Sequence, residues 1–253
     1  MKRFLKIWWI LSALGEGFLD LIYPSNIYCI SCGNIINDSR PYSLCDMCVR
    51  SLKWANARNC QCCGKILQDS YAPNLCSDCL EEEHIFNKGY TCVEYTAAER
   101  DIIHNFKYKD KAYLGRKLAE ILYDRIKVEE LETDIVVPVP MHIKKQRKRG
   151  YNQAAVMASS LAKFMGVPYE GKALVRTIET KPMSSLGAHE RKNNVQYAFD
   201  VRENKKNNIT GKRVLLVDDV YTTGSTADSC ASVLLATGAK EVFIITFASG
   251  PNQ

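Results

Sequence analysis

The stretch 214–226, VLLVDDVYTTGST, sets two carboxylates between a run of four apolar residues and a Thr/Gly/Ser loop. A continuous apolar run reads as a buried parallel strand, and open α/β sheets bind ligands beyond the carboxyl ends of their strands. Asp218 and Asp219 are therefore expected at a ligand edge. The loop then opens a helix. The amides of Thr223, Gly224 and Ser225, the hydroxyls of Thr222, Thr223 and Thr226, and the helix dipole together make an anion site, with Gly224 allowing close backbone approach. A phosphate monoester suits it. Two ionised acceptors just before it suit the vicinal hydroxyls of a ribose, each of which can donate to a carboxylate. A merely capped helix would need only one such side chain.

The second chemical signal is cysteine. Four C-x-x-C pairs, Cys29/Cys32, Cys45/Cys48, Cys60/Cys63 and Cys76/Cys79, fall in two blocks, and within each block the pairs are 12 residues apart. Two such turns present four sulfurs to one tetrahedral ion, so each block has the form of a zinc ribbon and two structural Zn²⁺ are expected. Gly33 and Gly64 follow the second cysteine of a pair, where a tight turn brings amides toward the thiolates. Spacing leaves an interleaved pairing, first pair with third, open. Cys62 sits inside a turn and is left unliganded, while Cys92 and Cys230 fall in an expected strand and helix as small core residues. A redox role for the pairs explains the matched spacing less well than metal does.

Lys144, Lys145, Arg147, Lys148 and Arg149 form the one dense basic run. It has three readings: a solvated helix start, a pyrophosphate-side clamp, or a contact for a nucleic-acid backbone. His142, at a strand end, is a candidate acid or base or a loop histidine, and Tyr151 is a candidate for stacking a base or for packing.

These groups need a scaffold, and the chain has one. Of 253 residues, 46% are hydrophobic and 25% charged, which excludes collagen, coiled-coil and polar-tract classes. Strands are expected at 90–95, 135–139, 214–217 and 242–247, and helices at 97–108, 113–126, 153–164 and 226–236, an alternation that gives an α/β domain with a mostly parallel sheet. Residues 1–22 read as an amphipathic helix, in preference to a signal peptide, because Glu16 and Asp20 interrupt the apolar run. Residues 23–83 read as the cysteine module and 84–253 as the α/β domain, with Glu81–Glu83 at the boundary. No stretch reaches the roughly 20 apolar residues of a membrane span. The formal charge of +6 counts thiols as neutral; two four-thiolate zinc sites would lower it to about +2, so global charge does not name a partner. Paired cysteines of this kind fit a reducing cytoplasm.

VLLVDDVYTTGST resembles the phosphoribosyl pyrophosphate signature of type I phosphoribosyltransferases, and nearly the whole chain resembles the ComF (ComFC, GntX-like) family, a double zinc ribbon followed by a phosphoribosyltransferase-like domain. Further landmarks are Phe106-Lys107-Tyr108, Val137-Pro138-Val139-Pro140, Arg147-x-Arg149-Gly150-Tyr151-Asn152-Gln153, and Glu190-Arg191 with Asn194. The resemblance implies that Asp218 and Asp219 hold the ribose hydroxyls and that 222–226 hold the 5′-phosphate. It places Met141, His142, Lys144, Arg147 and Arg149 on the pyrophosphate side, with Mg²⁺ accompanying the pyrophosphate. It makes 179–194 a mobile hood loop, with Arg191 stabilising the departing pyrophosphate, and implies a role in competence or DNA uptake. Two departures stand out. Met183 occupies a position where the family commonly has Gln, and Thr222 replaces the Asp with which purine-salvage relatives face the base, which disfavours a purine acceptor. The rival expectation is a non-enzymatic adaptor that docks single-stranded DNA or a DNA-uptake helicase.

Overall fold

The computed structural model describes residues 27–37, 39–56, 58–69, 72–108, 111–178 and 198–252. The helix expected over 1–22 and the hood loop 179–194, with Met183, Glu190, Arg191 and Asn194, lie outside the described residues. Two compact units are present, Met1–Arg50 and Ser51–Gln253.

The smaller unit is built around its cysteine turns, with a bridge between Tyr28 and Ile35 and helix α1, Asp46–Ser51, carrying Cys48. The larger unit contains the second cysteine block, helix α2 (Ser77–Glu81), and the α/β domain. The domain runs β1 (Lys88–Glu94), α3 (Ala97–Tyr108), α4 (Leu114–Val128), β2 (Ile135–Pro138), α5 (Ile143–Arg149) and α6 (Gln153–Met165). It continues with a hairpin of β3 (Leu174–Arg176) and β4 (Phe199–Val201), the short α7 (Lys206–Ile209), β5 (Arg213–Tyr221), α8 (Ser225–Ala236) and β6 (Glu241–Ser249).

The sheet has the order β1-β6-β5-β2, and every neighbouring pair is parallel, Val137 opposing Leu216 and Val217 opposing Ile245. Its central strand β5 buries Val214–Val217 completely, as a strand covered on both faces must. The helices supply the covers: Leu118 and Leu122 of α4, Met157 and Leu161 of α6, and Cys230 and Leu234 of α8 are all buried. Inside the sheet the hydroxyls of Thr91 and Thr246 meet at 3.0 Å, so the polar pair satisfies itself.

Both outer strands are also occupied. On β1, Ala55 N–H donates to the Cys92 carbonyl and Glu94 N–H to the Lys53 carbonyl, with Trp54 bridging antiparallel to Val93. On β2, Val136 N–H donates to the Pro168 carbonyl and Glu170 N–H returns to Val136, beside a bridge to Tyr169.

The strands and helices expected between residues 84 and 253 are present with ends moved by a few residues. Helix α5 stood only as one of three readings of the basic run, because it carries no buried side chain, and the β3–β4 hairpin was not anticipated, because three-residue strands are too short to show alternation.

Candidate functional site

Strand β5 ends at the ligand edge as its apolar run requires, and Asp218 and Asp219 stand half-buried in the wall of a cavity of about 430 Å³. Asp219 N–H donates back to Asp218 Oδ1 at 2.8 Å. Burial and the neighbouring charge of Asp219 push the Asp218 carboxyl well above the ordinary range. Burial acts on Asp219 in the same sense, but the ammonium of Lys107, which is ion-paired to Asp219 Oδ2, more than offsets it and holds that carboxyl low. The pair is thus divided into one member that keeps a proton and one that stays charged.

The loop after the carboxylates contributes Thr222, Gly224 and Thr226 to the cavity wall. Gly224 has φ +82° and caps α8, so the start of that helix, whose first amides have no partner within the helix, reaches the cavity wall at Gly224 and Thr226. Thr223 and Ser225 are not in the wall; their hydroxyls bond each other at 2.9 Å and brace the loop.

The cationic side comes from α3 and α5. Helix α5 divides the basic run between two faces: Lys145 and Arg149, one turn apart, line the cavity with Met141, whereas Lys144, Arg147 and Lys148 are exposed and outside its wall. His142 does not line the cavity either. It is buried, and its Nδ1 accepts from Lys144 N–H at 3.4 Å as the cap of α5. Arg149 Nη1 donates to Gln153 Oε1 at 2.8 Å, and Asn152 Nδ2 donates to the Val139 carbonyl at 2.9 Å while its Oδ1 caps α6. Tyr151 donates to the Phe106 carbonyl and packs against the Phe106 ring at 5.8 Å, a packing role in place of base stacking. The Arg-Gly-Tyr-Asn-Gln stretch therefore fastens the end of α3, and with it Lys107, to the loop after β2. Arg176, whose guanidinium lies 5.3 Å from the Phe199 ring, closes the wall from the hairpin side.

The cysteines gather into two tetrads, Cys29/Cys32/Cys45/Cys48 and Cys60/Cys63/Cys76/Cys79, with the sulfurs of each within 4.8 Å of one another. The pairing is consecutive, not interleaved. The two blocks repeat each other in detail: Gly33 N–H donates to Cys29 O as Gly64 N–H does to Cys60 O, and Cys45 N–H reaches Cys29 Sγ at 3.4 Å as Cys76 N–H reaches Cys60 Sγ at 3.3 Å. Sulfur separations of 3.7 Å for Cys32/Cys45 and 3.6 Å for Cys63/Cys76 match the ~3.8 Å edge of a tetrahedron with metal–sulfur bonds near 2.3 Å. Cys62 belongs to neither tetrad, and Cys92 and Cys230 are buried in the core.

Residues 18–80 match the double zinc ribbon domain model and residues 108–253 the phosphoribosyl transferase domain model. Competence protein F of Haemophilus influenzae is 30% identical over 168 residues, covering 64% of this chain and 73% of that protein. The chain belongs to the ComF family. Competence protein ComFC of Bacillus subtilis is 24% identical over 87% of this chain and 82% of its own, and the DNA utilization protein YhgH of Escherichia coli K12 is 29% identical over 60% and 67%. Among solved structures, adenine phosphoribosyltransferase from Thermoanaerobacter pseudethanolicus aligns over 56% of this chain and 83% of its own at 18% identity and a TM-score of 0.35, a likeness too loose to add to the sequence matches.

For this ComF-family chain, three participants in the site escaped the sequence reading: Arg176, Lys107 and His84. Lys107 stood only as a landmark, although a cation in the last turn of a helix was a usable signal. His84, which contacts Tyr221 and Asp228 beside the loop 222–226, left no signal at all, because its partners are far along the chain.

Proposed function

We propose that the cavity binds phosphoribosyl pyrophosphate or a closely related ribose phosphate. In this reading the 5′-phosphate sits on the loop 222–226, the ribose hydroxyls on Asp218 and Asp219, and the pyrophosphate toward Lys145 and Arg149. The observation that carries it is the convergence, around one cavity, of a glycine-capped helix start, an acidic pair and two cations from a separate helix. That set matches the ends of a ribose phosphate ester in order: anion, diol, anion. Asp219 already has Lys107 as its counter-ion, so the acidic pair is no metal cage. Mg²⁺ would enter on the pyrophosphate oxygens, whose charge it would neutralise. Where transfer occurs, the work left to this chain is to hold the ribose, orient its C1 and stabilise the leaving pyrophosphate with Arg149 and Lys145.

In the same reading the two tetrads hold structural Zn²⁺, residues 23–83 act as the zinc module and 84–253 as the ligand-binding domain, and the protein works in the cytoplasm, where thiols stay reduced, and serves DNA uptake or utilization, the role that the names of its relatives suggest. Among the described residues no helix is long and apolar enough to cross a membrane. A second reading draws on the outward face of α5, where exposed Lys144, Arg147 and Lys148 suit the phosphates of single-stranded DNA. Calorimetric titration with phosphoribosyl pyrophosphate, with and without Mg²⁺, tests the first reading. The Asp218→Asn/Asp219→Asn double variant should lose about 1.5–3 kcal/mol of affinity, the contribution of a bond to the one charged acceptor, Asp219, while zinc content stays unchanged. Binding that survives the double change would remove the carboxylates from the site.

A further inference from the structure

The phosphate loop does not stand alone. Behind it lies His84, two per cent exposed at its side chain, on the segment that joins the second cysteine block to β1. Its Nδ1–H donates to Asp228 Oδ2 at 2.8 Å and its Nε2 meets Tyr221 Oη at 3.0 Å. Tyr221 ends β5 immediately before the loop, and Asp228 lies in the first turn of α8 immediately after it. One imidazole therefore ties together the two residues that flank the loop. Asp228 takes a second bond at 2.8 Å from Ile85 N–H, and Phe86 stacks on the imidazole at 4.8 Å, which fixes the ring plane.

Gly224 shows how closely the loop is seated. A Cβ at this position would lie 2.6 Å from His84 Cε1 and would also collide with the Tyr221 hydroxyl, so the loop backbone rests directly on this pair. The segment carrying His84 is itself anchored to the second block: Gly89 N–H donates to Cys62 O at 2.7 Å, and a Cβ on Gly64 would lie 2.6 Å from Gly89 O. Lys65, paired with Asp78 at 2.5 Å, has its ammonium 5.9 Å from the Tyr221 ring centre.

We infer that His84 is a positioning residue for the phosphate loop, through which the second cysteine block sets the affinity of the site for a phosphate monoester. The inference rests on the ribose-phosphate reading for its ligand, not for its geometry. It differs from that reading in placing a determinant of affinity outside the cavity, since His84 does not line the wall. The imidazole acts by holding the loop amides in their ligand-ready orientation before the anion arrives, which lowers the ordering cost of binding.

The test uses the full-length, zinc-loaded protein and ribose 5-phosphate as the probe, with His84→Ala, Tyr221→Phe and the double variant. Each single change should weaken binding, about tenfold for His84→Ala and less for Tyr221→Phe, since a net hydrogen bond corresponds to roughly a two- to tenfold factor. The double variant should be no weaker than His84→Ala alone, because both changes cut one link. Amide hydrogen exchange at Gly224, Ser225 and Thr226, measured without ligand, should quicken in both single variants. Tyr221→Phe keeps the ring and so reports even if His84→Ala folds poorly. Unchanged loop exchange in Tyr221→Phe, or additive losses in the double variant, would overturn the inference. If wild-type protein fails to bind both ribose 5-phosphate and phosphoribosyl pyrophosphate, the ligand reading fails, and the exchange data still decide whether His84 positions the loop.

Discussion

Replacing Lys107 by Met keeps most of the unbranched side chain and removes its ammonium, leaving Asp219 beside Asp218 with no ammonium against it. Lys107 and Asp219 are 24% and 18% exposed, so the pair is mostly withdrawn from water. At an effective dielectric constant near 20, contacting unit charges attract by roughly 4–6 kcal/mol, most of which is cancelled by the cost of desolvating them. Breaking a fully buried pair costs about 3–5 kcal/mol and losing an exposed one about 0–1. This pair lies between, and we expect Lys107→Met to lower stability by ~1–3 kcal/mol in urea unfolding of the zinc-loaded protein at neutral pH. Asp219→Asn should do the same in reverse, stranding the ammonium. Combining the two should restore most of the loss, since neither charge is then left unpaired. Single changes within about 0.5 kcal/mol of wild type, or a double variant whose loss equals the sum of the singles, would show that the ion pair does not govern the charge state of Asp219.

Three further outcomes are expected. Elemental analysis of protein purified without chelator should give about two Zn²⁺ per chain, and strong chelation should unfold both cysteine blocks, each ion contributing on the order of 10 kcal/mol to its block. Neutralising Lys144, Arg147 and Lys148 should reduce the salt dependence of single-strand DNA binding by about 0.7 per lost phosphate contact and leave ribose-phosphate affinity intact, whereas Arg149→Gln should do the opposite; fluorescence anisotropy and calorimetry separate them. Because Asp218 holds a proton that the unfolded chain releases at ordinary carboxylate pH, its contribution to stability is full below that range and is lost as pH rises through its raised folded value. Asp218→Asn should flatten that fall, and an unchanged slope in pH-dependent urea unfolding would place the titration elsewhere.

The parts of this molecule legible in the sequence are those whose signal is local. The run VLLV followed by two acids and a TTGST loop specifies strand, ligand edge and helix start within thirteen residues, and the structure builds them there. The C-x-x-C spacing is likewise a property of one turn, though closing each block from consecutive pairs required coordinates. The division of the basic run was harder. Lys145 and Arg149 share a face only if 143–149 is helical, and with no buried side chain that helix has no apolar periodicity to announce it. His84 is the opposite case, a single residue whose meaning depends on Tyr221 and Asp228 more than a hundred positions away. Arg191, the expected pyrophosphate contact, lies outside the described residues.

The occupied edges of the sheet bear on how this protein could meet others. Backbone groups that a free outer strand would offer to a visiting peptide are already taken, by residues 53–55 along β1 and by 168–170 along β2. Recognition by adding a strand, a common and sequence-tolerant way to recruit extended peptides, is therefore closed at both margins. A partner that meets the four-stranded sheet at these margins must be read through side chains, which makes such contacts open to point substitution.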